Sequence, residues 1–301
     1  MDKSFKHMSL GDKLFEILII VVGVLVLLCV VYPLYYVVIA SISNPSLVMT
    51  GGVWLYPRQL TLDGFEALLS ESKIWIGYRN TIFYSIAGTA ISMLVTVPAA
   101  YALSRKDFKA RRPLMLFFLF TMYFSGGLIP TYLLMSNTLH LTDTVWVMIV
   151  PFCLNVYNMI IVRSYFENSL PGDLWEAAQL DGCSNTRFLI TIAIPLSMAV
   201  ISVVMLYYLV ANWNAYFNGL IYLRSDKLVP LQLVLRDILL MNEMMANSLS
   251  TGGSVGLDSA MKRAYQIKFT SIIVGTLPMM ILYPFLQKYF EKGVMIGAIK
   301  G

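Results

Sequence analysis

Long stretches without a charged side chain constrain the fold of this chain more than any other feature. Six of them run from Ile17 to Pro57, Asn80 to Ser104, Pro113 to Thr142, Thr144 to Val162, Phe188 to Leu223 and Phe269 to Gln287. A helix crossing about 30 Å of hydrocarbon needs roughly 20 apolar residues, and each window meets or approaches that length. Of 301 residues, 58% are hydrophobic and only 13% charged, far from the balance of soluble domains. The windows are rich in Leu, Ile, Val, Phe and Met without strict alternation. That pattern favours helices over the polar-in, apolar-out strands of a membrane barrel. The expected fold is an all-α integral membrane protein with six transmembrane helices.

The first window follows Lys3, Lys6 and Lys13, in the outline of a secretory signal. Its apolar run, Ile17 to Ala40, exceeds a signal core and lacks a convincing cleavage site, so it is expected to remain as a span behind a cytosolic segment, residues 1–16. Cys29, Cys153 and Cys183 leave the long external segments without a thiol, and no disulfide framework is indicated. The short loop carrying Arg105, Lys106, Lys109, Arg111 and Arg112, opposed only by Asp107, belongs in the cytosol by the positive-inside rule. Six crossings then place both termini in the cytosol. The net charge of +5 follows from this orientation beside membrane lipid, and nucleic-acid binding is not supported.

Between the spans, Ser41 to Arg79 is external, with turn signals at Asn44-Pro45, Gly51-Gly52 and Tyr56-Pro57 and a short interfacial helix from Leu62 to about Ser70. A second external segment, about residues 225–268, predicts an amphipathic helix within Leu228 to Met244 and a mobile loop over Asn247 to Gly256. Gly126, Gly127 and Pro130 interrupt the third span, which fits either a bend in a pathway or tight helix packing.

Between the fourth and fifth spans lies Ser169-Leu170-Pro171-Gly172-Asp173-Leu174-Trp175-Glu176-Ala177-Ala178-Gln179-Leu180-Asp181-Gly182. Pro171 suits a first helical turn, Asp173 and Glu176 sit near the positive helix end, and Gly182 is placed to stop the helix. The prediction is a short capped helix on the cytosolic surface, about residues 171–182, with Leu174, Ala177, Ala178 and Asp181 on one face.

Glu176-Ala177-Ala178, Asp181-Gly182, Phe188 and Ile194-Pro195 together resemble the EAA signature of binding-protein-dependent ABC importer permeases, with Cys183 where that family usually has alanine. Further segments are similar to the oligosaccharide-uptake class, and most to its maltose-G-type subunits. They are Ser125-Gly126-Gly127-Leu128-Ile129-Pro130-Thr131, Asn212-Trp213-Asn214, Pro230 to Leu235, and the tail from Gln287. The resemblance covers most of the chain from about Asn80 onward. It implies a type I ABC importer permease fold over residues 17–301, with a core bundle of about 80–290, in the cytoplasmic membrane of a bacterium. It also implies a second homologous permease subunit, an ATPase dimer and an extracellular or periplasmic solute-binding protein. In that family the EAA helix couples to the ATPase, so the implied contacts are Glu176, Ala177, Ala178, Asp181 and Gly182. The cytosolic tail, residues 291–301, is implied to reach the ATPase dimer. The chain has no phosphate-cradling Gly-x-x-x-x-Gly-Lys-[Ser/Thr] loop, so ATP and Mg are expected on the ATPase partner, with no cofactor or metal in this chain.

A sugar pathway calls for aromatic faces that stack on pyranose rings and amides that bind their hydroxyls. Tyr207, Tyr208, Trp213, Asn214, Tyr216 and Asn218, with Asn155 and Asn158, supply that mixture. An interfacial aromatic belt or helix packing is the competing account of any one of them. An intramembrane hydrolase lacks support, because His7 and His140 lie outside the predicted spans, the latter in the short loop Ser136 to Asp143, and the spans hold no charged group for a general base. A proton- or sodium-coupled secondary transporter is a further rival, and the same lack argues against proton coupling. A permease of the same superfamily for a non-sugar solute is the nearer alternative.

Overall fold

The computed structural model describes residues 10–252 and 257–298, apart from the side chains at positions 10, 246–247, 249–258 and 285–298. Among the described residues all regular structure is helical. They form two compact units, one drawn from Met1–Ser70 and Ile238–Val274, the other from Glu71–Asp237 and Gly275–Gly301.

In the first unit, α1 (Leu10–Ser41) is apolar on all sides, and its most apolar membrane-length window is entirely unburied, as expected of a helix solvated by lipid. The chain then folds into α2 (Pro45–Met49), where the Asn44 side chain accepts the Ser46 N–H at 2.9 Å and Pro45 opens the first turn. Next comes α3 (Asp63–Leu69), with Asp63 and Glu66 at its positive end, at the position predicted for a short interfacial helix. Ile39, Ala40, Val48 and Val53 form a small core, joined by Tyr36 and Phe269 in an edge-on contact of 5.8 Å. Gly64 permits the close approach of residues 266 and 270, since a Cβ there would lie 2.6 Å from Thr270 Oγ1.

The second unit is organised by α4 (Ser72–Ser104). Its 33 residues span about 50 Å at 1.5 Å per residue. Gly77, Thr81, Ser85, Gly88, Ser92, Thr96 and Ala100 recur at intervals of three or four and are all buried, so neighbouring backbones come close to one face. Two arms of the unit follow: α5 (Arg111–Tyr123) and α6 (Leu128–Leu133), the latter running on as a π-helical turn over Leu134–Thr138. The chain continues through α7 (Trp146–Ile149), α8 (Val156–Ser169), α9 (Gly172–Leu180) and α10 (Asn185–Phe188). A second π-helical turn, Leu189–Ala193, leads into α11 (Ile194–Leu196) and α12 (Met198–Trp213), then α13 (Tyr216–Tyr222). α4 packs along α8 and α12. Two long helices end the chain, α14 (Leu231–Gly252) and α15 (Leu257–Ala298).

Several sequence expectations change. Three described helices are long and apolar enough to cross a membrane, and two bent pairs bring the number to five. The third expected span is broken at residues 124–127 and bends by 110°, where Gly127 takes φ +84° and Pro130 follows in the first turn of α6. The fifth bends by 87° at Ser197, just after the π turn and Pro195. The fourth window, Thr144 to Val162, is divided between α7 and α8 by an irregular stretch at 150–155. α4 begins at Ser72 rather than Asn80, which brings Lys73 and Arg79 into its first turns. The mobile loop expected from Asn247 is helical as far as Gly252, and 253–256 lie outside the described residues. The tail is helical through Ala298, and Ile299 to Gly301 lie outside the description.

Candidate functional site

α9 sits where the short capped cytosolic helix was predicted. Pro171 precedes it with extended backbone, and Asp173 occupies its first turn. Its far end closes in a Schellman arrangement: the Gly182 N–H donates to the Gln179 carbonyl at 3.0 Å and the Cys183 N–H to the Ala178 carbonyl at 2.8 Å. Gly182 takes φ +72°, which only a residue without Cβ adopts freely. Glu176, Ala177, Asp181 and Gly182 are exposed, and Leu180 is 90% exposed, an apolar side chain held out from the unit. One expectation is corrected. Ala178 does not share the outward face with Leu174, Ala177 and Asp181; it is only 8% exposed and belongs to the main core with Phe166, Phe188 and Tyr101.

The inward face of α9 is anchored by Trp175, whose ring meets Phe188 edge-on at 5.1 Å. Phe188 stacks on Tyr101 at 6.3 Å, and Tyr101 meets Phe166 edge-on at 5.9 Å. The Arg105 guanidinium, from the residue that caps α4, lies 4.0 Å over the Trp175 ring and 5.8 Å from that of Tyr101. A two-pronged ion pair orients it, Nε to Asp107 Oδ1 at 3.1 Å and Nη2 to Oδ2 at 3.3 Å. That hydrogen bonding holds the Asp107 carboxyl below its ordinary range. The basic loop expected from its charge thus contributes a structural contact to the helix beside it. The sequence offered no signal for this pairing of positions 105 and 175 beyond their residue types.

At the other end of α4, side chains hold the segment between α13 and α14. Asn80 Nδ2 donates to the carbonyls of Lys227 and Val229 at 2.8 and 3.0 Å, and the Tyr84 hydroxyl donates to that of Leu228 at 2.8 Å. The Leu231 N–H donates to Thr81 Oγ1 at 2.7 Å. Asp143 receives the N–H groups of Arg224 and Ser225 at 2.9 and 2.8 Å, and these bonds pull its pKa down.

The eight residues predicted for a solute path separate into two groups. Tyr208, Trp213 and Asn158 are buried. The Tyr208 hydroxyl lies 2.7 Å from Thr96 Oγ1 and accepts the Asn155 N–H at 3.0 Å, so it braces the irregular stretch before α8. The Trp213 indole donates to the Gly275 carbonyl at 2.9 Å. These two rings brace the scaffold through their polar ends. Tyr207, Asn214, Tyr216 and Asn155 are exposed, and Asn218 is half-buried. Asn155 and Asn214 also serve helix ends: the first accepts the Asn158 N–H at α8, and the second donates to the Val210 carbonyl at the end of α12.

Comparison with known proteins places this geometry in context. The pattern of binding-protein-dependent transport system inner membrane components matches residues 74–296. The polygalacturonan/rhamnogalacturonan transport system permease YtcP of Bacillus subtilis is 35% identical over 96% of this chain and 99% of its own length. The arabinooligosaccharides transport system permease AraQ of Halalkalibacterium halodurans is 27% identical over 90% of this chain and 91% of its own. In a crystal structure of a bacterial ABC transporter involved in import of the acidic polysaccharide alginate, one chain superposes with a TM-score of 0.80. It is 32% identical, over 94% of this chain and 99% of that one. The chain therefore belongs to the family of binding-protein-dependent transport system inner membrane components, the non-catalytic membrane subunits of ABC importers.

Proposed function

We propose that this chain is one of two unlike permease subunits in a bacterial ATP-driven importer of oligosaccharides, acidic ones among them. Relatives named for pectic and arabinose oligosaccharides, and a structural neighbour named for alginate, support the substrate class. The observation that carries the mechanism is α9, a rigidly capped helix that projects Leu180 beside Glu176, Ala177 and Asp181. An exposed apolar side chain ringed by small and acidic residues suits insertion into a cleft on an ATPase subunit. Nucleotide-driven closure of an ATPase dimer moves α9, and the helices above it alternate between inward and outward opening. ATP and Mg act on that partner.

The break at 124–127 is exposed in this chain. Irregular backbone at membrane depth persists only against protein or a water-filled path. We place the second permease subunit and the solute path against that side, with Tyr207, Asn214, Tyr216, Asn155 and Asn218 as the sugar-facing candidates from this subunit. A solute-binding protein delivers sugar at the outer segment beyond Leu223. Both termini lie in the cytosol, α7 and α8 together make the fourth of six crossings, and the tail reaches the ATPase.

Uptake by the assembled importer in proteoliposomes tests the substrate class. ATP-dependent accumulation of uronic-acid oligosaccharides, outcompeted by other oligosaccharides and not by amino acids, is the expected result. Saturable uptake of an amino acid or phosphate with no sugar uptake would favour the non-sugar alternative and overturn the proposal.

A further inference from the structure

α9 turns one face to the second unit and leaves the other exposed. Glu176, Ala177, Leu180 and Asp181 lie on the exposed side, Ala178 enters the core with one methyl, and Trp175 is the aromatic side chain of the helix. Trp175 is gripped from two sides, by Phe188 at 5.1 Å and by the Arg105 guanidinium at 4.0 Å. Arg105 is the residue at which α4 ends, so the cation stacked on α9 is fixed to the end of the 33-residue helix. Asp107 holds both prongs of that guanidinium, which leaves its flat face free for the ring. A planar cation suits this double task; an ammonium group could meet the carboxylate but not stack as a plane.

The opposite end of α4 has an equally defined attachment. Asn80, Thr81 and Tyr84 bind four backbone groups between Lys227 and Leu231. Between the two ends α4 runs as a single helix that accommodates Pro98, a residue with no N–H to donate, whereas the third and fifth spans are bent by 110° and 87°. A single helix of about 50 Å transmits a displacement along its axis even with one backbone hydrogen bond missing, and a span with a sharp break dissipates it at the bend.

We infer that the Arg105–Trp175 stack is the contact through which movement of the coupling helix enters the membrane bundle, with α4 as the rod that delivers it to segment 227–231. Arg105 and Trp175 are positioning residues, and Asp107 holds Arg105 in its stacking plane. The inference rests on α9 being the ATPase-coupling helix and adds the route by which its movement leaves it.

The test is a double-mutant cycle on the complete importer in proteoliposomes, using Arg105→Gln, Trp175→Leu and the double variant. Trp175→Leu keeps an apolar anchor against Phe188 while removing the π face. Each variant also carries Ala177→Cys, so that crosslinking to the ATPase counts docked complexes. Three results are expected. Each single variant lowers transport per crosslinked complex tenfold or more. The double variant is no worse than the poorer single one, because both remove the same contact. Arg105→Lys is nearly as impaired as Arg105→Gln, whereas Trp175→Phe recovers part of the transport. Losses that multiply in the double variant, full rescue by Arg105→Lys, or unchanged transport per crosslinked complex would each overturn the clamp. Absence of the Ala177 crosslink in the otherwise native protein would instead remove the coupling assignment on which the clamp depends.

Discussion

Gly182 separates backbone conformation from surface contact at the end of α9. Its φ of +72° places it in the left-handed region, and no atom lies within 4 Å of the position a Cβ would take. An added methyl group therefore meets no steric obstacle, and the penalty is conformational: about 1–2 kcal/mol for an ordinary L-residue, and less for Asn. An energy of that size shifts a local equilibrium by a factor of about 5–30. The equilibrium concerned is closure of the cap, reported by the Cys183 amide, whose proton is held by the Ala178 carbonyl at 2.8 Å. In Gly182→Ala, hydrogen exchange at that amide should quicken by about 5–30-fold relative to amides within α12. Gly182→Val should lie at or beyond the upper limit, because a β-branched side chain is least tolerant of positive φ. Gly182→Asn should fall between the native protein and the Ala variant. Transport should decline in the same order. Equal exchange in all four proteins would refute the role of the cap. Asn as damaging as Val would show that the surface at position 182 matters rather than its conformation.

Three further outcomes follow from the packing. In Gly77→Ala the new methyl would lie 2.9 Å from the Leu231 Cα, a backbone pinned by Thr81, so unfolding of the purified protein should show about 1–3 kcal/mol of overpacking, offset by about 1 kcal/mol of helix propensity. Gly23→Ala, with nothing within 4 Å, is the control and should be neutral or stabilising under the same conditions. Trp213→Phe removes the hydrogen bond to the Gly275 carbonyl and should cost about 0.5–1.5 kcal/mol in thermal unfolding while leaving the KM for solute unchanged; a raised KM would place Trp213 on the pathway. Asp143 has a folded pKa below its unfolded value, so its contribution is complete above the ordinary carboxylate range and is lost as pH falls through the lowered folded value. The Arg224 and Ser225 amides, corrected for intrinsic rates, should therefore stay protected at neutral pH and lose protection in strong acid. In Asp143→Ala they should be open at both.

The parts of this molecule written locally in the chain were legible in advance. Charge-free windows located the long helices, because the absence of charge is what hydrocarbon demands of a helix at every position. Pro171 and Gly182 bounded α9, since each acts through its own backbone. Ala178 was misplaced because a small side chain suits a closely docked surface and a packed core equally, and only the Trp175 anchor decides which way the helix turns. The scaffold contacts of Tyr208 and Trp213 were hidden for a related reason. Their polar ends are satisfied by Thr96, the Asn155 N–H and the Gly275 carbonyl, none within 50 residues of its ring. The bend at Ser197 follows a π turn among residues as apolar as those around them, so hydropathy carried no trace of it. Residues 247–252 are helical despite their Ser, Gly and Thr content, and the structure shows no reason for this. The recurrence of small residues from Gly77 to Ala100 was present in the sequence and marks a face on which α14 meets Gly77 and Thr81, and α12 meets Gly88 and Thr96.

The most direct measurement of the central claim is solute uptake into proteoliposomes prepared with this chain and its sister subunit, with and without the ATPase, and with and without ATP. Uptake should require the ATPase, hydrolysable ATP and a solute-binding protein together, and Glu176→Lys in α9 should abolish it while the subunit still inserts. Concentrative uptake by the membrane subunits alone, or undiminished uptake in Glu176→Lys, would contradict the account.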